Sequence, residues 1–300
     1  MKKLNLGVIG ISEGNGHPYS WAAIFNGFDH DEMSKCPFPV IPQYLSEEKY
    51  PEDFLVDLGE VTHVWSQDVE ESNMIAKSAK IPHVVNKLED MIGNVDAVLL
   101  ARDDAENHLR MSKSFLQAGI PIFIDKPLAY SLKTAQDILS YQTYEGQLYT
   151  CSSLRYSTEL LLSEEQIKTL GDVYFIEATV PKSWEKYAIH VIEPIIAGNP
   201  SRGNLLNVKV IYKREGLKKV LVEWENLTAV ISAYGVFSSP IEIKYFGSNG
   251  QAQTNRFTSA FPSFKKSLET FVLNIGKNDL PIPRNETLEI INIIEKGING

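Results

Sequence analysis

The sequence predicts an α/β protein: an N-terminal doubly wound parallel sheet over residues 1–150, followed over 151–300 by an α+β domain with a mostly antiparallel open sheet. Three observations carry this expectation. Up to about residue 152, short unbroken apolar runs alternate with amphipathic stretches, as parallel strands covered by helices on both faces require. After about Ser153 the strand-like segments alternate apolar and polar residues and follow one another closely, the pattern of a sheet with one packed and one exposed face. A glycine-rich turn, Gly10-Ile11-Ser12-Glu13-Gly14-Asn15-Gly16, separates the first apolar run from the first amphipathic stretch.

In chain order, Leu4 to Ile11 reads as strand and about Tyr19 to Phe28 as helix. From Asp29 to Gly59 prolines and acids break the pattern into a long excursion, and loops of that length in a compact domain usually serve function or partners. Strand Val61 to Trp65, helix Val69 to Lys80, Val84-Val85, a short helix near Leu88 to Ile92 and strand Ala97 to Leu100 follow. A helix from about Asn107 to Ala118 ends at Gly119, a residue suited to the left-handed cap. Strand Ile120 to Ile124, helix Lys133 to Tyr144 and strand Leu148 to Ser152 complete the first domain. In the second, Val173 to Thr179, Leu206 to Tyr212, Val220 to Trp224, Ala229 to Tyr234 and Ile241 to Phe246 read as strands, and Gly247-Ser248-Asn249-Gly250 as a hairpin turn. Helices at about Ser263 to Ile275 and Asn285 to Lys296 close the chain.

Composition narrows the partners. Lys and Arg total 29 against 38 Asp and Glu, a formal net charge of -9, whereas nucleic acids and anionic membranes select basic faces. No run reaches the ~20 apolar residues of a membrane span, and the apolar run behind Met1-Lys2-Lys3 is too short for a signal peptide. Cys36 and Cys151, the only two cysteines, make neither a disulfide framework nor a zinc site, so a reducing cytoplasm is the expected compartment. Two domains of different class imply a cleft, and a small-molecule substrate is the expected partner.

A glycine-rich turn ahead of a helix offers backbone N–H groups and a positive helix end to a pyrophosphate. The alternative is a tight turn that binds nothing. Here Ser12 and Asn15 replace the second and third glycines of G-x-G-x-x-G, and both suit close or strained backbone. Asp125-Lys126-Pro127 follows a fully apolar strand, at the strand end where such sheets bind ligands. These residues, with the strand from Asp96 to Ala101, the segment Gly119 to Leu128 and Leu154-Arg155-Tyr156, resemble the Gfo/Idh/MocA family of nicotinamide-dependent oxidoreductases over nearly the whole chain. The resemblance implies a Rossmann domain for NAD or NADP and a second domain whose open sheet face often joins subunits, hence a homo-oligomer.

Carried over by position, the family's D-x-G-x-H-x-x-D signature falls on Lys186 to Glu193, with His190 as the catalytic histidine and Lys126 as the catalytic lysine. Lys186 stands where the family has an acid and Ala188 where it has glycine. Cofactor-binding candidates are Gly10, Ser12, Gly14, Asn15, Ser66, Asp68, Ala101, Arg102, Asp125, Lys126 and Pro127; substrate-binding candidates are Arg155, Lys186, Tyr187 and His190. Ser66 stands where an acid usually grips the adenosine ribose. No basic residue is expected near it, and Asp68 with Glu70 suggests a slight preference for NAD over NADP. Arg102, Asp103 and Asp104 either contact substrate or simply cap a helix. No metal is expected. The implied activity is hydride transfer between the nicotinamide and a hydroxyl or keto group of a sugar, sugar phosphate, nucleotide sugar or cyclitol, with His190 as base and Lys126 polarising the same oxygen. A biliverdin reductase-like enzyme that does not use the histidine as a base, and a non-catalytic dinucleotide-binding or scaffold protein, remain open.

Overall fold

A computed structural model describes residues 2–277 and 280–300. The chain forms two compact units. The first holds the chain up to Ala129, Lys133–Thr150 and Ala260–Arg284; the second holds Tyr130–Leu132, Cys151–Ser259 and Asn285–Gly300. A single switch between domains at residue 150 therefore needs amending, because the segment starting at Ala260 returns to the first unit.

In the first unit the elements run β1 (Leu4–Ile9), α1 (His17–Asn26), α2 (His30–Met33), α3 (Val40–Ser46), β2 (Gly59–Trp65), α4 (Val69–Ser78), β3 (His83–Val84), β4 (Ala97–Leu100), α5 (His108–Gln117), β5 (Ile122–Ile124), α6 (Leu132–Ser140) and β6 (Leu148–Thr150). The six strands are parallel in the order β3-β2-β1-β4-β5-β6, so the doubly wound sheet read from the sequence is present. Strand order reverses between β1 and β4, and a ligand crevice is expected outside their carboxyl ends. All of Ala97–Leu100 is buried, which is why this strand carries no polar residue. Asp68 caps α4 by accepting from the Glu70 and Glu71 amides, and Gly119, at φ 76, follows the end of α5 as expected.

The excursion between Asp29 and Gly59 is not mere loop, since α2 and α3 form within it. Phe38 and Ile41 from this insertion sit against Gly16, where an added Cβ would lie only 2.6 and 2.5 Å from their side chains. Glycine at position 16 is thus dictated by packing. Trp21 of α1 stacks on Phe123 of β5, ring centroids 4.7 Å apart. The returning helix, Phe261–Asn274, lays Phe271 on Phe123 and Tyr149.

The second unit comprises α7 (Glu164–Leu170), β7 (Val173–Val180), α8 (Trp184–Tyr187), α9 (Ile189–Gly198), β8 (Leu205–Arg214), β9 (Leu217–Trp224), β10 (Thr228–Ala233), β11 (Glu242–Gly247) and β12 (Ala252–Arg256); the returning helix is α10, and α11 (Arg284–Asn299) ends the chain. Its sheet order is β12-β11-β7-β10-β9-β8, antiparallel except for the β7–β10 pair. The turn 247–250 makes the β11–β12 hairpin, whose second strand is too polar to be read from alternation. Ile176, Ala178 and Val180 of β7, Val220 and Val222 of β9 and Ala229, Ile231 and Ala233 of β10 form the packed face. Burying each of the larger aliphatic side chains contributes roughly 1.5–3 kcal/mol.

Candidate active site

In the first unit the strand ends at the β1/β4 switch point bring three sequence-distant segments together. Ser12 Oγ donates to Asp103 Oδ1 at 2.8 Å and accepts from the Asp103 amide at 3.1 Å. Lys126 Nζ lies 3.5 Å from Asp103 Oδ2, with both side chains under a tenth exposed. Asp103 therefore ties the glycine-rich turn to the lysine. Asp125, 1% exposed, accepts from Asn15 Nδ2 at 2.9 Å and from the Lys126 amide at 2.8 Å, and lies 2.6 Å from His17 Nδ1. Burial pushes the Asp125 carboxyl up, but His17 and then Lys126 outweigh it and hold the group below the ordinary carboxylate range.

His17 was not singled out by sequence reasoning, although it directly follows the turn. Its ring stacks on Trp21 and meets Phe264 edge-on, which with Asp125 fixes its orientation. His108 is fully buried, its nitrogens 2.8 Å from the Arg102 carbonyl and 3.1 Å from that of Leu128, so it pins the loop after β4 to the loop after β5.

A dinucleotide is the group that the fold implies, and the donor set of the turn fits its pyrophosphate at one place. The start of α1 is already satisfied: the His17 amide donates to Asn15 Oδ1, Pro18 has no N–H, and the Tyr19 amide donates to Gly16 O. The amides of Glu13 and Gly14 donate to nothing among the described residues, and Gly14, at φ 76, has open space where a side chain would be. Anion-binding capacity thus lies at the tip of the turn instead of the helix end.

At the end of β2, Ser66 is engaged with Ser72 and with the Asp68 carbonyl. The expectation that no basic residue lies near it is overturned. Arg102 Nη1 donates to Gln67 Oε1 at 2.6 Å, while Nε and Nη2 grip Asp104 at 2.8 and 2.5 Å. Sequence reasoning missed this because residues 67 and 102 meet only across the sheet.

In the second unit, His190 lies in the first turn of α9, its Nδ1 2.8 Å from Ser152 Oγ and its ring edge-on to Tyr187. Lys182 Nζ lies 4.6 Å from the centre of the Tyr187 ring. Glu193, 2% exposed, accepts from the Ser152 amide and from Arg155 Nη1 at 2.9 Å. Arg155 also bonds Glu286, so its guanidinium is held by protein carboxylates. Burial works against that charge, but Glu193 and Glu286 raise its pKa further. Lys186 is half-buried on α8. No group of three or more His, Cys, Asp or Glu suited to a metal occurs among the described residues, and none of their helices is long and apolar enough to cross a membrane.

The sequence profile of an oxidoreductase family with an NAD-binding Rossmann fold matches residues 4–152. A search of curated protein sequences returns no significant match. Similar solved structures include myo-inositol 2-dehydrogenase from Lactobacillus plantarum (TM-score 0.72, 11% identity, covering 99% of this chain and 98% of that one). Scyllo-inositol dehydrogenase from Lactobacillus casei with bound NAD(H) and scyllo-inositol gives 0.68 and 16%, covering 99% and 96%. UDP-N-acetylglucosamine 3-dehydrogenase from Acidithiobacillus ferrooxidans gives 0.70 and 12%, covering 99% and 98%. At these identities the likeness establishes the shared fold.

Proposed function

We propose, from the premise that this chain belongs to the Gfo/Idh/MocA family of NAD-binding oxidoreductases, that it oxidises or reduces a hydroxyl-bearing small molecule of the sugar or cyclitol class. The observation that carries this reading is the linked set at the β1/β4 switch point, where the glycine-rich turn, Asp103 and Lys126 form one buried chain of contacts. The inositol and nucleotide-sugar dehydrogenases that share the fold support the substrate class.

The turn at Glu13 and Gly14 would hold the pyrophosphate of a dinucleotide, which would supply the hydride-transfer chemistry when bound. The residues of the chain handle the proton and the oxygen. His190 is the base that removes the hydroxyl proton; Nε2 accepts it in the tautomer in which Nδ1 donates to the Ser152 hydroxyl, and that contact orients the ring. Lys126, at the strand end beside the turn, is the cation of this reading that would stabilise negative charge on a substrate oxygen. Asp103, bonded to Ser12, steadies the lysine. Tyr187 and Lys186, on the turn before His190, are the substrate contacts of this reading.

The test is NADH fluorescence titration followed by turnover with a panel of sugars, sugar phosphates, nucleotide sugars and inositols. Binding of NADH with turnover of at least one polyol is expected. Lys126→Ala should weaken substrate binding as well as turnover, because its charge acts on the ground state too. Failure to bind either nicotinamide dinucleotide would overturn the reading.

A further inference from the structure

The arginine beside the end of β2 is the least explained group near the candidate cofactor site. Arg102 is 7% exposed, and its three donor directions are all taken: Nη1 by Gln67, Nε and Nη2 by the two oxygens of Asp104. Asn107 Nδ2 donates to the same carboxylate at 2.6 Å and fixes its orientation. In a doubly wound sheet the end of β2 is where the adenosine ribose is read, by an acid for the 2′-hydroxyl or by a nearby arginine for a 2′-phosphate. Two parallel N–H groups gripping two oxygens is also how arginine binds phosphate. Asp104 therefore occupies, from within the chain, the edge of Arg102 that a 2′-phosphate would take.

We propose that Asp104 selects the dinucleotide, standing in for a 2′-phosphate on Arg102 so that the site takes NAD and rejects NADP. The inference rests on the reading that this chain binds a nicotinamide dinucleotide at the β1/β4 switch point. With Asp104 ionised, the Arg102 pair carries no net charge, and Asp68 and Glu70 at the start of α4 follow closely on Gln67, which Arg102 touches. A dianionic 2′-phosphate then meets repulsion with no uncompensated cation. Removing the Asp104 charge leaves the arginine fork available beside Gln67.

The experiment is calorimetric titration of the whole chain with NAD, NADP, AMP and 2′,5′-ADP, for wild type and Asp104→Asn. The wild type should prefer NAD and AMP. In Asp104→Asn the ratio of NADP to NAD affinity should rise about tenfold, with 2′,5′-ADP gaining in parallel. Adding Arg102→Gln should cancel the gain. Asp104→Ser, read alongside, keeps the test standing if the first variant does not fold. A ratio that stays unchanged in a variant still binding NAD, a gain that survives Arg102→Gln, or a wild type that prefers NADP would overturn the proposal. A wild type that binds neither dinucleotide would instead remove the functional reading beneath it.

Discussion

At the scale of single residues, the polar groups of both units are held by specific partners, near or far in sequence, and their consequences can be measured. His190 is set by Ser152, 38 residues earlier. His190→Ala should lower turnover by about 10²- to 10⁴-fold, the usual worth of general-base catalysis, while leaving dinucleotide affinity nearly unchanged. Steady-state kinetics beside NADH titration checks this, and an active wild type that keeps full activity after the substitution would favour a reductase that does not use the histidine. Asp104 offers a test by pH. Burial raises its pKa, but the bonds from Arg102 and Asn107 outweigh that and leave it lowered. The folded state then binds fewer protons than the unfolded chain. The stability this contributes is present above the unfolded carboxylate pKa of about 3.9 and is lost as pH falls through the folded value. Asp104→Asn should therefore flatten the fall in denaturation midpoint below about pH 4 and change little of the slope at neutral pH.

At the scale of elements, one close approach fixes how α11 packs. Trp184 of α8 is buried and donates from Nε1 to the Ile294 carbonyl at 3.0 Å. Gly297, one turn further along α11, leaves no room for a side chain, since a Cβ there would lie 2.3 Å from the indole. Gly297→Ala should destabilise the protein by about 1–3 kcal/mol through overpacking, despite the better helix propensity of alanine. Urea unfolding followed by Trp fluorescence would show it, and an unchanged or higher midpoint would contradict the packing argument. The insertion carrying α2 and α3 acts similarly on α1, because Phe38 and Ile41 close over Gly16 at the end of the glycine-rich turn.

At the scale of the whole molecule, the open face of the second sheet carries more apolar surface than water-facing strands need. Phe175 and Phe246 pair across β7 and β11 at 5.6 Å, and Leu221 pairs with Val230 across β9 and β10, all half-buried on the face opposite the core. Exposed Tyr212 on β8, paired with Lys219 of β9, lies on the same face. A second copy of the chain is the partner expected to cover it. Light scattering at micromolar concentration should give a multiple of the monomer mass, and Leu221→Glu with Val230→Lys should reduce it. A monomeric wild type would refute this.

The sequence by itself determined the class of each half. Runs such as Ala97–Leu100, set between amphipathic stretches, read as central parallel strands, and the alternation in β9 and the first half of β10 as a sheet with one packed face. Gly119 and the glycine-rich turn were legible because backbone conformation is a local property of the residue. The polar β12 and the return of α10 to the first unit were not legible. Neither has a local signal, and each is stabilised by what it packs against. The same holds for the site. Lys126 and His190 could be named from motifs, whereas their partners Asp103 and Ser152, the His17–Asp125 pair and the bond from Arg102 to Gln67 exist only in the folded chain. Hydrogen bonds and ion pairs join groups by distance in space, and only tertiary structure sets that distance for residues 23 to 108 positions apart.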